Sequence, residues 1–307
     1  MVKTIQRHCR LGPFGRAFNN FVPVEPWLRK ANRELVTLAL SFQPNYLVTF
    51  GHYQIHAGAL AQIRSSVSVA LVHVWPDTLL NVDNNLISCL PLFDLVASYS
   101  ESSSEQLRRM GAKHVVWIPL AGDPSMHPMV ACNESERIRY GADVTFIGGW
   151  RPEREAVLSK LKCFKMKIWG PDWGRRCRRN GALLKRWQGR PLYEDEFAKA
   201  VTSSTINLNI IDPLNYPAAN MRFFELSVAG GLQVCSPCPE MEQDFIHGEH
   251  LFYYKDDDEL SELVATLVED ETLRNRIREA ARAKVLSAHT YLDRARRILQ
   301  SLESRVH

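Results

Sequence analysis

The strongest constraint on this chain lies in residues 205–235, TINLNIIDPLNYPAANMRFFELSVAGGLQVC, which read as strand, loop, helix and strand in succession. Ile206, Leu208 and Ile210 fall on one face at the period-2 spacing of a strand. Asp212, Pro213, Asn215 and Pro217 then interrupt regular structure. Asn220 suits the N-cap of a helix with Met221, Phe224 and Val228 on one side, and Gly230-Gly231 stops it. The start of that helix carries orphan N–H groups and the positive end of a dipole, and Arg222 adds a fixed charge. Glu225 follows at i+3 on the same edge. A cation beside a carboxylate at a helix start after a strand suits a nucleotide: charge for the diphosphate, carboxylate for the ribose hydroxyls. The plainer reading is an i, i+3 salt bridge on an amphipathic helix.

The rest of the chain repeats the alternation. Apolar strands at residues 45–50, 67–74, 94–98 and 114–118 are separated by helical patterns. The series resumes with strands at 143–147, 166–169, 205–211, 232–235 and 250–254. Strands alternating with helices specify βαβ units, parallel sheets and an α/β class. Helices are expected at 240–246 and in three successive segments over 257–304. Residues 119–142 hold three prolines without a sustained period. The expected organisation is an N-terminal domain over 1–125, a linker over 126–142 and a C-terminal domain over 143–290. A closing helix over 291–307 is expected to pack back on the first domain. A chain of 307 residues is long enough for two cores.

Composition excludes several classes. No window approaches the roughly 18 uninterrupted apolar residues of a membrane span, and the charged N-terminus is unlike a signal peptide. Seven scattered cysteines fit a reducing compartment, so a cytoplasmic protein is expected. A net charge of +4 permits an anionic ligand without demanding nucleic acid.

In parallel α/β sheets, ligands gather at the carboxyl ends of strands. In the second half those ends supply Gly148, Gly149, Arg151, Arg154, Trp169, Gly170, Asn209, Asn220, Arg222 and Glu225. In the first half they supply His52, an imidazole suited to general-base work but equally readable as an idle loop histidine. Gly148-Gly149 lets backbone approach a phosphate, though a tight turn explains it as well. Asp256-Asp257-Asp258 reads as a capping run rather than a cation site. Cys235-Ser-Pro-Cys238 lacks the second pair that a zinc site needs. No metal site and no cofactor are therefore expected. Residues 173–190 carry seven basic residues and no acid, which points either to a solvated face or, through Arg175–Arg190, to an anionic membrane.

Taken in order, FIGGWRPEREAVLSKL, KIWGPDW, INLNI, NMRFFELSVAGGLQV and HTYLDRARRIL resemble the C-terminal domain of the CgeB-like (spore maturation protein) glycosyltransferases. These belong to the glycosyl-transferase group 1 superfamily with the GT-B fold. DLVASYSESSSEQLRRMGAKHVVWIPLAGDPSMHP is similar to the end of their N-terminal domain. The likeness spans about residues 45–305. It implies two Rossmann-like, doubly wound domains facing a cleft, the N-terminal one shortened, with a nucleotide-sugar donor held mainly by the second. By the same resemblance Glu225 matches a ribose-binding carboxylate, Asn220 and Arg222 the diphosphate segment, and Arg154 the basic residue after the first strand. Many members carry a second glutamate eight residues before the first; Pro217 stands there in this chain. The expected activity is metal-independent transfer of a sugar from a nucleotide diphosphate sugar to a glycan, lipid-linked, protein or small-molecule acceptor. Arg222 would act on the leaving group, with His52 a candidate base. The alternatives are a catalytically silent nucleotide-sugar-binding subunit, or an epimerase or hydrolase on the same fold.

Overall fold

The computed structural model describes residues 25–51 and 54–304. The chain divides into two compact units. One runs to Ile118 and takes back the chain from Ile298 onward; the other is Pro119–Arg297.

The first unit opens with helix α1 (Glu25–Phe42) and continues β1 (Tyr46–Phe50), α2 (Ala57–Ser66), β2 (Ala70–Trp75), α3 (Asn84–Cys89), β3 (Leu95–Ser98), α4 (Ser104–Arg109) and β4 (Val115–Trp117). The four strands are parallel in the order β1-β2-β3-β4, with Val72 opposite Leu95 and Val96 opposite Val115. No reversal of strand order occurs among the described residues of this sheet. One face is filled by Leu60, Leu71, Trp75, Leu90, Val96 and Leu107. On the other, Val72 and Leu95 pack against Leu302. Asp94 ties strand to helix, accepting from Leu71 N at 2.8 Å while paired with Arg64.

The second unit runs α5 (Glu134–Tyr140), β5 (Val144–Ile147), α6 (Pro152–Lys160), β6 (Met166–Trp169), α7 (Trp173–Arg176), α8 (Gly181–Leu184), α9 (Glu194–Ser203), β7 (Ile206–Asn209), α10 (Met221–Val228), β8 (Gln233–Cys235), β9 (Phe252–Tyr253), α11 (Asp257–Glu269), α12 (Glu271–Ala288) and the start of α13 (Tyr291–Glu303), whose residues from Ile298 belong to the first unit. Its strands are all parallel in the order β6-β5-β7-β8-β9. The chain leaves β5 toward β6 and returns to place β7 on the opposite side of β5. That reversal opens a crevice at the carboxyl ends of β5 and β7.

Alternate strand residues feed two cores. Val144, Phe146, Ile168, Ile206 and Leu208 meet Leu158 of α6 and Leu260 and Val264 of α11. Ile147 and Trp169 turn the other way, onto Phe197 and Val201 of α9 and Leu226 of α10. Phe223 and Phe224 are fully buried and meet Phe245 and each other at 5.0–6.0 Å in edge contacts. Such pairs are worth about 0.5–1.5 kcal/mol each beyond their burial. No helix among the described residues is long and apolar enough to cross a membrane.

Three expectations change. The stretch read as a linker holds α5, opened by a capping box in which Asn133 and Glu136 exchange bonds, and its Tyr140 is buried. Residues 240–246 form turns rather than a helix; Met241 and Phe245 at i, i+4 are both buried, but the backbone bonds are mostly of the i+3 kind. The basic run is only partly solvated. Arg190 makes a bidentate pair with Glu196 at 2.5 and 2.6 Å, Arg176 lies over Trp150, and Arg175, Arg178 and Arg179 are exposed. Arginine stacking and a carboxylate just past the run account for the difference.

One buried cluster sets a pH dependence. His289 is 3% exposed, lies flat against Phe224, and accepts at Nδ1 from Arg294 Nη2 at 2.9 Å. Its proton therefore sits on Nε2, 3.3 Å from Asp244 Oδ2. Burial, followed by the Arg294 charge, pushes this imidazole well below its ordinary 6.5. Burial likewise lowers His127 and His250. A histidine depressed in the folded state contributes stability that is present above pH 6.5. It is lost as pH falls, because the unfolded chain takes the proton first. The melting temperature should therefore drop between pH 7.5 and 5.5 at constant ionic strength, and drop less in His289→Gln. A flat profile in the parent would refute the assignment.

Candidate active site

The crevice between β5 and β7 holds a cavity of about 220 Å³ lined by Gly148, Arg154, Asn209, Asn220, Met221 and Arg222 among others. Each wall follows from local sequence. Asn220 caps α10 through Oδ1, which accepts from Phe223 N at 3.0 Å, and the amide also locks to the end of β7. Asn209 Nδ2 donates to Asn220 Oδ1 at 3.1 Å, and Asn220 Nδ2 donates back to Asn209 Oδ1 at 2.9 Å. Gln233 on the neighbouring strand accepts a further bond from Asn209. The positive end of α10 is thus fixed toward the cavity.

The other wall depends on close backbone approach. Gly170 has φ +150°, and a Cβ there would lie 2.0 Å from Gly148 O. Only glycine lets the loop after β6 pack on the loop after β5. Trp173 Nε1 then donates to Gly148 O at 2.9 Å and Arg154 Nη1 to Gly149 O at 2.9 Å.

Three guanidinium groups gather at these strand ends. Arg222 donates from Nε to Ile147 O at 3.2 Å, lies 4.6 Å over the Phe197 ring and pairs through Nη1 with Glu225 Oε2. Arg154 sits over Phe146, and its Nε is buried without a partner among the described residues. Burial lowers its pKa, Asp212 partly restores it, and Arg151 and Arg222 depress it further. Arg151 is exposed and pairs with Asp212 at 3.1 Å. Glu225 is 8% exposed and is not among the lining residues. Its Oε1 faces His127 Nε2 at 3.8 Å.

Of the strand-end residues named from sequence, the structure gathers Gly148, Arg154, Asn209, Asn220 and Arg222 in one cavity, with Gly149, Arg151, Gly170 and Glu225 next to it. Trp169 is a correction. It is 3% exposed, belongs to the core under α9, and meets Tyr140 at 5.9 Å instead of facing the crevice. His52 lies outside the described residues. Sequence reasoning missed His127 and Phe197, which flank the Arg222–Glu225 pair. Cys235 and Cys238 are fully buried, and burial raises both thiols, that of Cys238 to about 12. They stay protonated at neutral pH, unsuited to thiolate chemistry.

An anion would meet a helix start and arginines braced by carbonyls, rings and carboxylates. Such groups stabilise charge without reorganising. The fold that the described residues define is GT-B. Residues 151–300 match the family model described as Glycosyl transferase-like. Among solved structures, the chain is similar to a glycosyltransferase from Rickettsia africae (12% identity, 92% of this chain and 82% of that one, TM-score 0.67). It is similar also to the sucrose-phosphate synthase of Thermosynechococcus elongatus (13% identity, 91% and 78%, TM-score 0.64). A third is HepE of Anabaena in complex with UDP-glucose (14% identity, 89% and 82%, TM-score 0.64). No curated protein matches the sequence.

Proposed function

We propose that this protein moves a sugar from a nucleotide diphosphate sugar to an acceptor, with the donor diphosphate at the β5–β7 crevice and without a metal ion. The observation that carries the reading is the convergence of Arg154, Arg222 and the α10 N-terminus on one cavity at the strand-order reversal. As the glycosidic bond breaks, charge grows on the leaving diphosphate, and these groups stabilise it. Glu225 holds Arg222 through Oε2 and offers Oε1 to a ribose hydroxyl. Asp212 and Glu225 are already engaged by Arg151 and Arg222, so guanidinium groups rather than a carboxylate-held cation supply the positive charge. HepE was solved with UDP-glucose, which makes uridine diphosphate sugars the first donors to try. The resemblance to CgeB-like proteins and a peripheral contact between anionic membrane and the exposed Arg175, Arg178 and Arg179 belong to the same proposal.

Thermal shift with a panel of nucleoside diphosphates and their sugars tests it. A ligand at a hundred times its dissociation constant adds about 2.7 kcal/mol to the folded state. The shift should persist in excess EDTA. A shift abolished by EDTA and restored by Mn²⁺ would overturn metal independence. No shift with any member of the panel would overturn the donor site.

A further inference from the structure

At the opposite end of β7, away from the donor crevice, lies a second polar groove of about 370 Å³ lined by Arg137, Ser203, Thr205, Glu271, Arg274 and Arg278 among others. A more apolar groove of about 470 Å³, which includes Met129, Arg282 and Leu286, shares Thr202 and Arg278 with it. Arg274, Arg278 and Arg282 stand at i, i+4 and i+8 on α12 and so share one face, while Arg137 comes from α5.

Among the described residues each of these arginines bonds only to backbone. Arg137 Nε donates to Cys132 O at 3.1 Å, and Arg274 Nη1 to Leu267 O and Val268 O at 2.7 Å. Arg278 Nη2 donates to Ser204 O and Thr205 O at 2.8 Å, and Arg282 Nε to Val228 O at 3.2 Å. Among the described residues none of the four makes an ion pair with a carboxylate, unlike Arg190, Arg222 or Arg151. Glu271 and Glu279 are the acids on these linings, two against four.

Capping of helix ends and strand starts accounts for the bonds just named, but not for the donors left over. Arg274 Nε, Arg278 Nε and Ser203 Oγ are closed off from solvent with no partner among the described residues, a costly state that native structures rarely leave unexplained. Arg274 Nη2 and Arg278 Nη1 are not used in the backbone bonds. Burial, then the Arg274 charge, lowers the pKa of Arg278, while Glu271 opposes this. A cluster of guanidinium forks short of acceptors is complementary to a phosphoryl group, whose oxygens take such forks in pairs.

We infer that this groove is a second anion site, built for a phosphate-bearing small molecule and separate from the donor crevice, with Arg137, Arg274 and Arg278 as its ligands. The adjoining groove gives room for an organic group esterified to that phosphate.

The test is isothermal titration of the intact protein with inorganic phosphate and with phenyl phosphate, against chloride at matched ionic strength. Saturable binding specific to phosphate is expected. It should weaken roughly 10- to 100-fold in Arg278→Gln, the equivalent of one hydrogen bond to a charged group. Arg137→Gln, on a separate helix, should weaken it too, and keeps the test valid if Arg278→Gln fails to fold. Arg154→Ala/Arg222→Ala, which strips the donor crevice, should leave it intact. Tighter binding of phenyl phosphate identifies an ester as the occupant; tighter binding of inorganic phosphate identifies the free ion. The inference is overturned if phosphate does not bind, if both Gln variants bind as the parent does, or if the crevice variant loses binding.

Discussion

Replacing Arg222 by alanine should weaken binding of the nucleoside diphosphate by roughly 10- to 100-fold while leaving the nucleoside almost untouched. The loss corresponds to about 1.5–3 kcal/mol, the scale of a hydrogen bond to a charged group. Arg222 is braced on three sides, by Ile147 O, the Phe197 ring and Glu225, so its charge is held in place before a ligand arrives. Glu225→Gln should act differently. It keeps size but removes a charge-assisted acceptor, so discrimination between ribose and 2′-deoxyribose should fall in the variant and be present in the parent. The structure adds a control that the sequence did not suggest. Removing Arg222 leaves the nearly buried Glu225 without its ion-pair partner, so Arg222→Ala should also lower stability. Affinities are therefore compared well below each variant's melting temperature, and the double variant separates the pair from its separate effects. If the pair only braces α10, both single variants will be less stable yet will bind every nucleotide as the parent does.

Much of this region was legible from residue order. A strand through Ile206 and Leu208, ending at Asn209 rather than at 211, the Asn220 cap, and the helix from Met221 to Val228 appear as local pattern specifies, because cap chemistry and periodicity act over a few residues. The strand-order reversal was not legible. It places Ile147 beside Arg222 across 75 residues, and only the sheet topology brings them together. His127 was missed because it lies in a proline-bearing stretch with no period, yet it comes within 3.8 Å of Glu225. Trp169 was misassigned because a strand end gives position but not face. Met166 and Ile168 take the side of α6 and α11, so Trp169 falls under α9. The seven basic residues of 173–190 read from sequence either as a solvated face or as a contact for an anionic membrane. Glu196, on the next helix, takes up Arg190.

Arg294→Met should destabilise the second unit by on the order of 3–5 kcal/mol, far more than Arg296→Met in the same helix. In sequence, RARR at 294–297 offers no way to rank these arginines. In the fold Arg294 is 4% exposed, whereas the Arg296 side chain is 62% exposed and pairs with Asp293. Arg294 Nε donates to Pro119 O at 2.7 Å and to Leu120 O at 3.3 Å. Nη1 donates to Ala288 O at 3.0 Å, and Nη2 to Leu120 O at 3.0 Å and to His289 Nδ1 at 2.9 Å. It therefore fastens α13 to the start of the second unit and holds the buried His289 in one tautomer. Burial brings the guanidinium pKa down to about 10, the mark of a charge kept out of water for the sake of its bonds. Methionine preserves the apolar stem over Phe224 but leaves three carbonyls without this donor, each costing about 1–3 kcal/mol when buried and unpaired. Lysine keeps a charge but not the fork, so Arg294→Lys should fall between parent and Arg294→Met. Denaturant midpoints at constant m measure the series. Should Arg294→Met unfold within about 1 kcal/mol of the parent, the carbonyls have found water and the guanidinium is not what holds this corner together.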